Sequence, residues 1–233
     1  MPRACQPDAL EPNDSPAAAF PVSASRYLDL TLCTGDVDHF SIALQRGDQL
    51  GVNVEGDPFA EPSFSTSIMD ASGRVLASGR MLASFVAAVP GLYTVRVSTS
   101  AATQRYDLGF FLSRGTPCDD DRQEPNDTSA TAKGYVPGTS IEGVICPQDQ
   151  DHFRVSVQEG RGIRASLTNY VAASGLLRLC LLEGATELGC SEEPAGAVVA
   201  LPAAAVGGKS LTARITGDDA RTTNGYTFQV EFP

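Results

Sequence analysis

The chain has 233 residues, 42% hydrophobic and 19% charged, with a net charge of −11 at neutral pH. That length accommodates one large domain or two of about 115 residues. The surplus of acids excludes a nucleic-acid surface, which needs clustered Lys and Arg against phosphate, and disfavours an anionic membrane surface for the same reason.

In chain order, the N-terminal stretch MPRACQPDAL lacks the apolar core of a signal peptide, so Met1 reads as an added start on an excised fragment. No apolar run approaches the roughly 18 residues that a membrane-spanning helix needs. Cys5, Asp8 and the tetrapeptide Glu11-Pro12-Asn13-Asp14 come next, and SPAAAF after them reads as one short turn. Cys33 then precedes GDVDHF, which carries Asp36 and Asp38. Period-two alternation marks strands at Phe40, Ile42, Leu44, at Leu50, Val52, Val54 and at Tyr93, Val95, Val97. EGD (Glu55 to Asp57) and DASG (Asp70 to Gly73) supply turn chemistry between strands.

SRGTPCDDD (Ser113 to Asp121) has the Gly and Pro of a linker and places a boundary that gives domains 1–115 and 116–233. Beyond it the pattern returns. Cys118, Asp121, Glu124, Asn126, Asp127, Cys146, Asp149 and Asp151 each stand 113 residues after a counterpart of the same type. A shared offset over such a set is a strong repeat signal. Later the offset drifts, GLYTVRVS pairing with GKSLTARIT and RYDLGFF with GYTFQVEF, as loop-length changes between two copies would produce. Alternation recurs at Phe153, Val155, Val157, at Leu211, Ala213, Ile215 and at Tyr226, Phe228, Val230, Phe232, with TNG (Thr223 to Gly225) as a turn. Seven or eight short strands per copy, and no long amphipathic helix, predict an all-β chain. The expected fold is two tandem antiparallel β-sandwich, jelly-roll-like domains.

Six cysteines is an even count, and four obey the repeat. Pairing Cys5 with Cys33 and Cys118 with Cys146 is the economical assignment, each closing a loop worth on the order of 3 kcal/mol. Cys180 and Cys190 flank LLEGATELG, a plausible hairpin, and pair with each other. Disulfides imply an oxidising compartment, hence a secreted or cell-surface protein.

Those bonds bring Glu11, Asn13 and Asp14 near Asp36 and Asp38, and Glu124, Asn126 and Asp127 near Asp149 and Asp151. Asp8 and Asp121 are possible further acids, and Asp119 and Asp120 add charge near the second cluster. Carboxylates so gathered repel one another unless a cation sits among them. An all-oxygen set on irregular loops suits Ca²⁺ better than the strict octahedron of Mg²⁺. The alternative is that Asn-Asp caps a turn and Asp-x-Asp only begins a strand; capping needs one such residue, whereas five positions recur together. His39 and His152, the two histidines, lie at equivalent strand starts, where a half-buried ring fits as well as a general base. No GxSxG or HExxH is present, so no catalytic residues are assigned. Aromatics are sparse and Trp is absent, so a platform for sugar rings is poorly supplied. Phe59, Phe64 and Tyr170 lie in less regular segments, where core or loop packing is the expected role.

EPND, GDVDHFSIAL, GDQLGVNV, MDASGRVLAS and GLYTVRV with YDLGF together resemble the bacterial pre-peptidase C-terminal domain, along nearly the whole first copy. In the second copy EPND, QDQDHFRVSVQEG and GYTFQVEF carry the resemblance, and the middle departs from it. The resemblance implies a compact β-sandwich appended to secreted peptidases and other surface proteins, aiding secretion or attachment to an insoluble substrate. The related collagen-binding domains of clostridial collagenases bind Ca²⁺, which assigns the same ten residues as ligands. One further acid of that pattern falls on Ala9 and Arg122, and the tyrosine-rich collagen-binding surface is not evident.

The expected function is a non-catalytic, calcium-stabilised accessory module, acting as a monomer. It attaches a larger exoprotein to an extracellular protein or polysaccharide, with no nucleic acid and no membrane insertion. The alternative is a structural spacer that stabilises a secreted peptidase or aids its secretion or maturation. An exposed aromatic or Arg-rich patch on one sheet face favours binding over spacing, and a concave pocket with convergent polar groups favours a cryptic hydrolase.

Overall fold

The computed structural model describes residues 5–56, 64–101, 103–194 and 196–233, and it is all-β. The chain divides into two compact units, Met1–Gly115 and Thr116–Pro233. In the first, the strands are β1 (Phe20–Pro21), β2 (Arg26–Leu32), β3 (Val37–Leu44), β4 (Gln49–Gly56), β5 (Phe64–Met69), β6 (Val75–Gly79), β7 (Leu82–Val86), β8 (Gly91–Thr99) and β9 (Gln104–Ser113). In the second they are β10 (Lys133–Gly134), β11 (Ser140–Ile145), β12 (Gln150–Ser156), β13 (Ile163–Thr168), β14 (Leu177–Glu183), β15 (Thr186–Ser191), β16 (Val198–Leu201), β17 (Ser210–Gly217) and β18 (Asn224–Glu231).

Each unit is a β-sandwich. The first has sheets ordered β1-β3-β8-β5-β6 and β2-β9-β4-β7, and the second repeats both orders with each strand nine places later. Alternation produces this arrangement directly, because side chains two apart share a face. Phe40, Ile42 and Leu44 of β3 meet Leu50, Val52 and Val54 of β4 in one core, and Phe153, Val155 and Val157 meet Ile163, Ala165 and Leu167 of β13 in the other. Eight strands per unit exceed two residues; the ninth, β1 or β10, is a two-residue edge piece that runs parallel to β3 or β12. Parallel pairing was not expected. It arises because the N-terminal segment lies alongside β3 in the same direction before the chain turns back as β2.

All six cysteines are paired, as Cys5–Cys33, Cys118–Cys146 and Cys180–Cys190. The third joins directly opposed residues of the β14–β15 hairpin. Three disulfides place the chain outside the reducing cytoplasm. Helical structure among the described residues is short, the α-helix Ala203–Val206 and two 3-10 turns, so no helix is long and apolar enough to cross a membrane. SPAAAF holds one of those turns at Pro16–Ala18.

DASG turns as expected, with Gly73 N–H donating to Asp70 O (2.9 Å) and Gly73 in the left-handed region at φ 83°. TNG does not. The connection falls at residues 218–221, and Asn224 opens β18, buried, its amide nitrogen donating to the carbonyls of Val171 (2.8 Å) and Gly175 (2.9 Å). The side chain thus satisfies distant backbone instead of forming a local turn. Asp57 and Phe59 lie outside the described residues. Phe64 is buried in the first core, and Tyr170 packs against the second.

Candidate metal centre

The segment before β1 is held against the start of β3 by a set of bonds that the second unit repeats. Asp8 accepts from Leu10 N–H (2.9 Å) and, across to β2, from Thr31 N–H (2.8 Å). Asp121 accepts likewise from Gln123 and Val144 (both 2.6 Å). The carbonyl of Asn13 accepts His39 N–H (2.9 Å) and faces His39 Nδ1 at 3.3 Å; Asn126 and His152 do the same at 3.0 and 3.2 Å. With Nδ1 committed to donating to a carbonyl and burial holding their pKa values below the ordinary imidazole range, both histidines are neutral clamps. The peptide bonds Glu11–Pro12 and Glu124–Pro125 are both cis.

Within this frame the acids converge. Glu11 accepts from Asn13 N–H (2.7 Å), and Glu124 from Asn126 N–H (2.9 Å). Asp36 follows a tight turn whose Gly35 has φ 82°; its oxygens accept from Cys33 (3.1 Å) and Val37 (2.8 Å) N–H. The second unit makes that turn with Gln148 held at φ 61°, a conformation costing a non-glycine residue about 1 kcal/mol or more. Asp149 there accepts from Cys146 (3.2 Å) and Gln150 (2.7 Å) N–H. In each unit the disulfide fixes the cysteine that opens this turn, so covalent closure and carboxylate placement are one construction.

One carboxylate oxygen each from Glu11, Asp14 and Asp36 lie within 4.8 Å of one another, and so do oxygens of Glu124, Asp149 and Asp151. Asp38 sits deeper in the first unit, fully buried behind Asn13; in the second, Asp127 reaches the group through Asp149. All ten acids and amides read from the sequence therefore lie in or against these two clusters. Asp8 and Asp121 stand at the edge, binding backbone.

Two tyrosines complete the pockets and escaped the sequence reading. Tyr106 hydroxyl donates to Asp38 Oδ2, and Tyr226 hydroxyl to Asp151 Oδ2 (2.5 Å). Each lies on the last strand of its unit, so only the pairing of RYDLGFF with GYTFQVEF hinted at a shared role. Burial raises both phenols, and the adjacent aspartate adds to the rise.

The pockets are electrostatically incomplete. Burial pushes Asp38 and Asp151 up to about 8, against the lowering effect of their tyrosines, and Asp149 to about 7. The neighbouring acids add to each rise. Glu124 Oε1, Asp151 Oδ1 and both polar atoms of the Asn126 amide are buried without a hydrogen-bond partner. The amide oxygen of Asn13 faces only acceptor oxygens; turned over, its nitrogen would donate to Asp38 Oδ1 (3.2 Å) and Glu11 Oε2 (3.1 Å). Oxygen facing oxygen in a buried pocket is relieved by turning the amide or by a cation. The oxygen spacing fits Ca²⁺, whose ligands at roughly 2.3–2.6 Å lie up to about 5 Å apart across the ion. A third group with metal-type side chains, Cys180, Glu187 and Cys190, is discounted because its sulfurs form a disulfide.

Away from the pockets, Phe111 projects from the outer face of the β2-β9-β4-β7 sheet, 64% exposed. The sequence reading passed over it, although the parity of YDLGFF, with Tyr106, Leu108 and Phe110 inward, sends it outward.

No known protein-family model matches the chain, and no curated protein sequence does. Among solved structures, the chain is similar to PliG of Aeromonas hydrophila, a periplasmic inhibitor of g-type lysozyme. The identity is 14% over 40% of this chain and 94% of that one, with a TM-score of 0.34. It is also similar to the tandem CBM22 domains of Paenibacillus barcinonensis Xyn10C, at 10% identity over 83% of this chain and 82% of that one, TM-score 0.25. The tandem CBM51 modules of Sp3GH98 from Streptococcus pneumoniae give 7% identity over 86% and 82%, TM-score 0.25. At such identities and scores the function rests on the site itself.

Proposed function

We propose that the chain is a non-catalytic, extracellular accessory module of pre-peptidase C-terminal type, each unit stabilised by Ca²⁺, that attaches a larger exoprotein to a polymeric or protein partner. The observation that carries this reading is that the repeated polar residues, the exposed Asp14 and Asp127 apart, are spent on bonds within the fold. Asp8, Glu11, Asn13, Asp36, Asp38 and His39, with their counterparts, bind the N-terminal segment to the sandwich and leave no nucleophile beside a free base. A group so committed to backbone and tyrosine bonds suits holding the fold and a cation better than turning over a substrate.

The residues that would hold the ion are Glu11, Asn13, Asp14, Asp36 and Asp38 in the first unit, and Glu124, Asn126, Asp127, Asp149 and Asp151 in the second. The unpartnered Asn126 amide and Asp151 oxygen support that assignment most strongly. A bound divalent cation would supply the positive charge that these carboxylates lack. The protein's own part is to preset the oxygens through disulfide, turn and tyrosine. The spacer reading shares the disulfides and the cation, and it differs in lacking a binding face; exposed Phe111 favours attachment.

The test is co-sedimentation of the 233-residue chain with a panel of insoluble polysaccharides and fibrillar proteins, alongside peptidase, glycosidase and esterase assays. Retention by any one polymer, without turnover, is expected. Turnover that disappears in His39→Ala or His152→Ala would overturn the non-catalytic reading, and no retention would leave the spacer.

A further inference from the structure

The outer face of the β2-β9-β4-β7 sheet in the first unit is built around one aromatic ring on a glycine floor. Phe111 pairs across β4 with Gly51, and Gly109, two residues before it, pairs with Asn53. A side chain at Gly109 would meet Phe111 Cε2 at 3.2 Å and Cζ at 3.4 Å, so the ring lies down over the space this glycine leaves. On either side of Gly109 stand Arg26 and Asn53. Arg26 binds Glu55 (2.5 Å) and Asp107 (3.1 Å), and Asn53 Nδ2 donates to Glu55 Oε1 (3.0 Å). Beyond the ring, the missing side chain of Gly51 opens a hollow of about 480 Å³ bordered by Gln49, Ser84 and Ser113. That is within the roughly 300–1,000 Å³ of small-ligand sites.

The second unit shows what this position looks like without such a face. Tyr106 and Tyr226 hold equivalent aspartates, so five residues further on Phe111 corresponds to Glu231. The residue opposite Glu231 is Arg164, in the place of Gly51, and the two form an ion pair at 3.2 Å. The sheet therefore folds with a charged pair here. The aromatic ring and its glycine floor are not required by the architecture.

We infer that this face of the first unit binds neutral polysaccharide, a sugar ring lying on Phe111 and its hydroxyls meeting the surrounding amide, hydroxyl, carboxylate and guanidinium groups; this rests on the attachment function proposed above. A pyranose has one C–H face and a rim of hydroxyls, which matches an apolar plate set in a hydrogen-bonding field. An apolar peptide or lipid would desolvate Asn53, Glu55 and Arg26 without replacing their bonds with water. The rim holds two carboxylates against one guanidinium, and the chain carries −11, so polyanionic glycans are repelled.

The experiment uses the whole chain with cellulose and chitin by depletion, and with xylan and β-1,3-glucan by affinity electrophoresis. Alginate serves as the polyanion and gelatin as the protein. Retention by at least one neutral glycan and none by alginate is expected. Phe111→Ala should weaken retention about tenfold or more, as loss of a central aromatic contact does, and Phe111→Tyr should keep it. Gly51→Ser is a second variant: its Cβ meets Phe111 only at an ordinary 3.6 Å, so it fills the hollow without disturbing the strand, and it should also weaken binding. No neutral glycan retained overturns the inference, and retention on gelatin in that case leaves attachment standing with a protein partner. Glycan binding unchanged in Phe111→Ala with an unaltered Tm overturns this face while leaving the module a glycan binder.

Discussion

Replacing Asp151 by asparagine should change stability in opposite directions with and without calcium. Asp151 is fully buried, accepts from Tyr226 at 2.5 Å and leaves Oδ1 unpartnered beside Glu124 and Asp149. Burial raises its pKa from 3.8 to about 8. At 1.36 kcal/mol per unit, ionising it in the metal-free fold costs on the order of 5 kcal/mol as a ceiling, since protein and water relax around the charge. Asp151→Asn removes that cost, keeps an oxygen for Tyr226 and offers its amide hydrogens to the neighbouring carboxylates. In chelator at pH 8 the second unit should gain about 1–2 kcal/mol, less than calcium supplies to the wild type, at roughly 4 °C in its Tm per kcal/mol. In calcium at a hundredfold excess over Kd the wild type gains about 2.7 kcal/mol per site, and the variant's second unit gains nothing. Differential scanning calorimetry reads both units, with Asp38→Asn as the matching probe of the first. A variant that melts lower by the same amount in chelator and in calcium would refute this reasoning and leave Asp151 as a plain partner of Tyr226.

Because the folded chain holds protons on Asp38 and Asp151 up to about pH 8, and the unfolded chain releases them near 4, metal-free stability should fall as pH rises. In chelator, Tm at pH 6.5 should exceed that at pH 8.5 by about 4 °C or more, the response of a domain of this size to 1 kcal/mol, and calcium should abolish the difference. Burial keeps His39 and His152 neutral in the fold across this window, and their half-protonation in the unfolded chain at pH 6.5 offsets only about 0.4 kcal/mol per unit. Converting Cys5 and Cys33 to serine opens a 28-residue loop and should cost about 3.5 kcal/mol in urea unfolding, against about 2.7 kcal/mol for Cys180 and Cys190. Only the former pair should also weaken the calcium response. The second pocket, with the extra acids Asp119 and Asp120 nearby where the first copy has Gln6 and Pro7, should bind calcium more tightly than the first, read as the later transition lost in a chelator titration.

Repeat, disulfides and strands were legible because each depends on spacing within a short stretch. The 28-residue separation of two cysteine pairs and the parity of Phe40, Ile42 and Leu44 need no knowledge of the rest of the chain. The acid clusters were legible for the same reason, since the disulfide joins their two halves. Tyr106 and Tyr226 were not, because their aspartates lie 68 and 75 residues away and only sheet order brings them together. Asn224 misled, since a Thr-Asn-Gly turn signal is local and its actual partners, Val171 and Gly175, are about 50 residues distant. Counting aromatics undervalued the face around Phe111, where one ring is made prominent by glycines on its own strand and the next.

The most direct test of the calcium-stabilised module is titration calorimetry of Ca²⁺ into chelator-treated chain, paired with melting curves. The account predicts two saturable sites, a calcium-dependent rise in Tm that chelator reverses, poor replacement by Mg²⁺, and loss of one site each in Asp38→Ala and Asp151→Ala. No binding heat, with identical melting in calcium and in chelator, would contradict it and leave Glu-Pro-Asn-Asp as a motif that only docks the N-terminal segment.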